Sequence, residues 1–254
     1  MASLPLAGVD LFAVLLVFAR IGTAIVFLPG FSAAYVSMRI RLLLALAISV
    51  LVAPALTGVL PPIPQTPWAL GLLLLGEATV GLFLGNVVRI AFAALQTAGT
   101  FTAFLSSFAN ALSHDPVVEE QSSTVAGFFT TLGVVMVFAA HLDHLMLRSL
   151  VDSYGVFTPG NVLPLGDFAD SVARDIARSF ALGVQLAAPF LLVSLVYNVG
   201  LGLLGRLMPQ LQVFFFGLPI QLSLQIWVMA LTISGIMMIF LDRFGETVAA
   251  GWGG

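Results

Sequence analysis

Lysine and cysteine are both absent from this 254-residue chain, and charge of either sign is scarce. Charged residues make up 8% and hydrophobic ones 60%, against roughly 25% and 45–50% in ordinary globular domains. So few charges cannot cover a water-facing surface, and a lipid bilayer is the solvent that suits such a chain. The lack of cysteine excludes disulfides, thiolate catalysis and cysteine-based metal sites, and says nothing of compartment. All nine basic residues are Arg, the net charge is -3 and no basic tract occurs. A nucleic-acid role therefore has no electrostatic footprint. Arg20 is the first basic residue, so the basic n-region of a cleavable signal is missing. The first apolar stretch is expected to remain as a membrane segment.

What the chain does have is long apolar runs. A hydrocarbon core about 30 Å thick needs about 20 apolar residues of helix. Runs at 11–28, 42–60, 70–108, 125–147, 180–204 and 214–241 qualify, and 70–108 is long enough for two. The expected fold is all-α, a polytopic integral membrane protein forming one domain over residues 1–254. Turn chemistry separates the runs. Pro61, Pro62, Pro64 and Pro67 each lack an N–H and crowd the preceding turn. Residues 113–123 are polar and acidic, and 155–166 are rich in Gly and Pro before Asp167, a good helix N-cap.

From Asp167 to Phe180 the pattern becomes amphipathic. Phe168, Val172, Ile176 and Phe180 recur every four residues, with Asp170, Arg174 and Arg178 opposite. This reads either as a short helix at the membrane surface feeding the next apolar run, or as a solvated helix start. With the N-terminus outside and a break near Arg89, residues Arg39, Arg41, Arg89, Arg148, Arg174, Arg178 and Arg243 fall inside and Arg206 outside, as the positive-inside rule asks.

Polar residues interrupt the apolar runs. Glu77, Gln96, Asn110, Gln185, Asn198, Gln221 and Gln225 lie within or beside them, where facing hydrocarbon is costly. Gly81 and Gly85 form a GxxxG step, with Gly71 and Gly76 upstream, and such spacing lets helix backbones approach closely. The partner in that packing is either the same chain or another subunit. A charge-poor protein with polar residues in most segments points to an assembly.

Several motifs are set aside. Gly200, Gly202 and Gly205 match GxGxxG, but inside a hydrophobic helix and not in a βαβ unit, so close helix packing is the better reading. His141 and His144 are i,i+3 with Asp143 between them. They could share an ion from one helix face, although helix-end residues at a membrane interface explain them as well, and no metal is assigned. Paired intramembrane carboxylates and a Gly-x-Ser-x-Gly elbow are both missing. No catalytic residue and no cofactor is therefore assigned. Glu77 stands alone in its run, and Arg89, twelve residues on, is about 120° around the helix. Structural hydrogen bonding is its first reading, and a proton- or ion-carrying role its second.

Two stretches carry a resemblance. Residues 198–220, with Gly205-Arg206, Pro209-Gln210, Phe214-Phe215-Phe216 and Gly217-Leu218-Pro219, are similar to the C-terminal signature of the FliR family of flagellar export-gate proteins. The corresponding injectisome subunits share that pattern. Gly76-Glu77 through Arg89, then Ala93 to Gly99 and on to Asp115-Pro116, resembles the family's central region. Arg20 with Phe18-Ala19, and Met38 to Leu42, fit too. Gln212 stands where the family commonly has Asn, a swap that keeps the amide.

The resemblance implies a non-enzymatic subunit of the flagellar type III export gate in the bacterial inner membrane. FliP-like, FliQ-like and FlhB-like proteins are its implied partners, and unfolded proteins cross the channel they form. It also implies helical hairpins packed side by side, one at about 180–241, and a channel plug at about 106–123 containing Ser106, Phe108, Asn110, Asp115 and Pro116. Non-helical polar backbone at membrane depth is tolerated only inside protein or beside water, which suits a plug. Subunit packing is expected of Gly81, Gly85, Pro209, Gln210, Phe214, Phe215, Gly217, Pro219 and Gln221. The segment 209–219 is expected to be a helix-breaking turn. The alternatives are an injectisome subunit and, further off, a small-molecule or ion transporter using Glu77 and the intramembrane amides.

Overall fold

The computed structural model describes residues 10–32, 36–106, 124–161, 163–208 and 213–250, with backbone alone for 213–216 and 250. Seven α-helices occur among them: α1 (Leu11–Phe27), α2 (Met38–Val52), α3 (Pro67–Leu105), α4 (Thr124–Ala139), α5 (Leu142–Val156), α6 (Leu165–Leu207) and α7 (Val213–Ala250). A 3-10 turn, Ala53–Leu56, extends α2. No strand occurs among the described residues, so the all-α, polytopic expectation holds. Four helices are long and apolar enough to cross a bilayer, and α4 with α5 would pass the same test together.

The helices begin where the side chains allow. The Asp10 carboxylate accepts from the Phe12 N–H at 3.0 Å, and the Ser37 hydroxyl accepts from Ile40; each satisfies an amide that a helix start leaves open. Pro67 sits at the first position of α3, where its missing N–H costs nothing. At 39 residues, α3 runs about 58 Å, nearly twice the hydrocarbon core.

Four sequence expectations change. Residues 70–108 do not divide at Arg89; α3 passes through it. Arg89 is exposed, its guanidinium 6.0 Å from the Phe27 ring centroid, and a charged head on a long stem can leave the apolar surface without ending a helix. The positive-inside alternation that needed a break there loses its basis. The run 125–147 divides instead at Ala140 and His141, where His141 takes a left-handed φ of 56°. The amphipathic stretch is continuous with the next apolar run in the 43-residue α6. Pro219 lies inside α7, so from Val213 onward the segment 209–219 is helix and not the expected turn, and 209–212 lie outside the described residues. A helix in lipid keeps its form around proline because leaving it would expose more unpaired backbone.

The chain divides into two compact units. The first comprises residues 1–91, 141–175 and 245–254. Within it α1 buries Ala13, Leu16, Val17, Arg20, Ile21, Ala24 and Ile25, a stripe at helical spacing. It meets the α3 face that carries Glu77, Gly81 and Gly85. A methyl added at Gly81 would strike the Arg20 carbonyl and the Thr23 hydroxyl, and one at Gly85 would lie 2.7 Å from the Ala24 carbonyl. Lipid tails are as apolar as Leu, so close backbone approach is what such helices gain by pairing. Phe83 stacks on Phe168 at 4.1 Å, with Phe157 edge-on to both.

The second unit comprises 92–140 and 176–244. Here the later half of α3 is embraced by three helices. Gly99 abuts Ala126 of α4, and Gly183 of α6 would place a methyl 2.7 Å from Thr97. Phe92 meets Phe240 and Phe244 of α7 edge-on at 5.2 and 5.4 Å, within the range where aromatic pairs attract.

Candidate functional site

Two polar clusters stand out, one in each unit. In the first, Glu77 and Arg20 form a fully enclosed, two-pronged ion pair. Arg20 Nε donates to Glu77 Oε2 at 2.8 Å and Nη2 to Oε1 at 3.0 Å. Arg20 is 0% exposed and Glu77 2%. Two of the three remaining guanidinium hydrogens are directed elsewhere: Nη1 donates to the Ser153 hydroxyl at 3.1 Å, and Nη2 to the Phe157 carbonyl at 2.7 Å. The Tyr154 ring lies 3.7 Å below the guanidinium carbon, close enough for a cation–π attraction.

Local sequence explains the geometry. Glu77, Gly81 and Gly85 are four residues apart and share one face of α3. The two glycines let that face close on α1 until the carboxylate reaches Arg20. Phe157 caps the C-terminus of α5, where carbonyls carry partial negative charge and favour a cation. Arg20 thus joins α1, α3 and the end of α5. A buried pair survives when its hydrogen-bonding capacity is largely met, and four of the five guanidinium N–H groups are engaged here.

The second cluster closes the end of α3. The Leu105 carbonyl accepts from Gln221 Nε2 of α7 at 2.8 Å and from the Ser194 hydroxyl of α6 at 3.2 Å. Asn198 Nδ2 donates to the Ser194 carbonyl at 2.8 Å and to its hydroxyl at 3.1 Å. The residue before Asn198 on α6, Tyr197, donates to the Gly217 carbonyl at 2.5 Å. Ser106 Oγ turns back to Thr102 at 2.7 Å. The last carbonyls of a helix have no intrahelical partner, and side chains from two other helices supply them. The cluster sits where the chain leaves for residues 107–123.

A family of bacterial export proteins (family 1) matches residues 11–247, a span that holds both clusters. The chain belongs to that family. Among the relatives of this export protein, the flagellar biosynthetic protein FliR of Caulobacter vibrioides is 38% identical over 231 residues, 91% of this chain and 92% of its own. FliR of Bacillus subtilis is 30% identical over 244 residues, 94% and 93% of the two chains. The Yop proteins translocation protein T of Yersinia pestis is 27% identical over 163 residues, 63% and 62%.

Within the export protein the expected site residues separate. Glu77 does not stand alone, because Arg20 neutralises it. Gly81 and Gly85 pack on α1 of the same chain, and Gln221 and Gly217 are bonded within the second unit, so each of these four has a contact within its own chain. Pro219 is exposed on α7. Gln96 and Gln185 are exposed, while Asn198 is exposed with its amide tied to Ser194. Gln96 borders an open groove of about 380 Å³ with Ala93, Thr97, Thr100, Phe101 and Phe180. Gly200, Gly202 and Gly205 meet nothing within 4 Å, so their small size serves no packing among the described residues. Ser106 is buried. Phe108, Asn110, Asp115, Pro116, Pro209 and Gln210, and the side chains of Phe214 and Phe215, lie outside the described residues.

Sequence reasoning missed Arg20, Ser153, Tyr154 and Ser194 as site residues. One signal was available for the first: Arg20 lies mid-run in the first apolar segment, and intramembrane charges pair with one another.

Proposed function

We propose that this export protein is a structural, non-enzymatic subunit of the flagellar type III export gate in the bacterial inner membrane. It builds the channel for unfolded proteins together with FliP-like and FliQ-like subunits, beside an FlhB-like one. The observation that carries this reading is the exposure of Gln96 and Gln185 on membrane-length helices. Lipid cannot satisfy an amide, whereas a neighbouring helix can. The open groove at Gln96 and the uncovered glycines of α6 add surface suited to the same close packing. The flagellar reading is favoured over the injectisome one by the higher identity and fuller coverage of the FliR relatives.

Ion transport through Glu77 is disfavoured by its pairing. A carrier must release its charge partner on each cycle, and this carboxylate is held by two hydrogen bonds in a site closed to water. Segment 106–123 acts as the resting plug, and its root is held by the bonds from Gln221 and Ser194 to Leu105. Affinity purification through this chain from a mild detergent tests the reading. A stable complex with the FliP-like and FliQ-like proteins is expected, and a solitary monomer would overturn it. Shortening 106–123 in the assembled complex is expected to make the membrane leaky to small solutes, and unchanged permeability would remove the plug.

A further inference from the structure

The geometry points to a site for a divalent transition-metal ion, such as Zn²⁺, on His141, Asp143 and His144. The sequence alone placed the two imidazoles on one helix face. The structure does something different: His141 is outside the helix, as the N-cap of α5, with a left-handed backbone, a conformation His adopts more readily than bulky or β-branched residues. Even so, one ligand atom from each of the three residues lies within 4.8 Å of the others. The His144 Nδ1 to Asp143 Oδ1 separation is 3.1 Å. A tetrahedral ion with bonds of about 2.0–2.1 Å holds its ligand atoms about 3.3 Å apart, so this pair is already at coordination spacing. His141 must close by about 1–1.5 Å, a rotamer-scale adjustment for an exposed imidazole.

The donor set selects the class of ion. Two imidazoles and one carboxylate suit Zn²⁺, Cu²⁺ or Ni²⁺, while Mg²⁺ and Ca²⁺ prefer all-oxygen sites. The His144 side chain is 77% exposed and that of Asp143 19%, so the ion keeps water in its remaining positions. Arg148, the next basic residue along α5, is paired with Asp152 at 3.6 Å and leaves Asp143 to the imidazoles. The site uses no residue of either polar cluster and is independent of the export-gate reading.

Zn²⁺ titration of the full chain in lipid nanodiscs, purified without a polyhistidine tag, tests the site, with Co²⁺ absorption and Cu²⁺ electron paramagnetic resonance as reporters of nitrogen ligation. One saturable equivalent per chain with two nitrogen ligands is expected. His141→Ala and His144→Ala should each weaken it about tenfold or more, and Asp143→Asn should also weaken it. His114→Ala should leave it unchanged. The variants at His141, Asp143 and His144 should keep the helical circular dichroism of the parent, since none of these side chains is buried in the core. Affinity unchanged in the His141→Ala/His144→Ala double variant, or the lack of any saturable site, would overturn the proposal and leave the 3.1 Å contact as a hydrogen bond between neighbours.

Discussion

Replacing Glu77 by Met keeps the length of the side chain and removes its charge and its acceptors, leaving Arg20 as a buried cation with only Ser153, the Phe157 carbonyl and the Tyr154 ring about it. Removing one member of a buried pair costs about 3–5 kcal/mol, because the other charge is left uncompensated. Arg20→Met strands the carboxylate in the same way. The double variant Arg20→Met/Glu77→Met behaves differently. It loses both charges together, which is often neutral or stabilising by about 1–4 kcal/mol. Against that, it leaves the Phe157 carbonyl without its 2.7 Å donor, a loss of about 1–3 kcal/mol. The double variant should therefore be less destabilised than either single one. Equilibrium unfolding in mixed detergent–SDS micelles across this cycle measures the coupling, expected at about 2 kcal/mol or more. Single effects that add within about 0.5 kcal/mol would refute the idea that the pair works as a unit. A single-variant cost of that size is a large share of a domain's stability of about 5–15 kcal/mol, so Glu77→Met should also lower the amount of protein that reaches the membrane.

Two further outcomes follow from packing and from the α3 end. Gly81→Ala should destabilise by about 1–3 kcal/mol or more through collision with Arg20 and Thr23, while Gly200→Ala, with open space around it, should be neutral or gain up to about 1 kcal/mol from helix propensity; thermal unfolding in detergent separates the two. Gln221→Leu leaves the Leu105 carbonyl with Ser194 alone. It should cost about 1–3 kcal/mol, seen as faster hydrogen exchange in the last turn of α3.

Much of the fold could be read from the apolar runs, because membrane helices are declared by length and hydropathy and need no long-range information. The 11–28 run became Leu11–Phe27, closed by Asp10 at one end. Charge misled at Arg89, where a positive-inside argument suggested a break that the backbone has no reason to make. The division at His141 has neither Gly nor Pro to announce it; it rests on a left-handed His. Pro219 looked like a breaker, yet it lies in the second turn of α7. Among site residues, the Glu77–Gly81–Gly85 face was visible as a pattern, but its partner was not. Arg20 lies 57 residues from Glu77, and no periodicity within one helix links them. The clamp on Leu105 draws on residues 89 and 116 positions away, which no local signal encodes.

Site-specific photo-crosslinking in the assembled membrane tests the central claim most directly. A photoreactive residue at Gln96 or Gln185, exposed on helices that lipid alone cannot satisfy, should form adducts with the FliP-like or FliQ-like subunits. The same residue at Val137, buried in the core, should not. Adducts to lipid alone from both exposed positions would contradict the account.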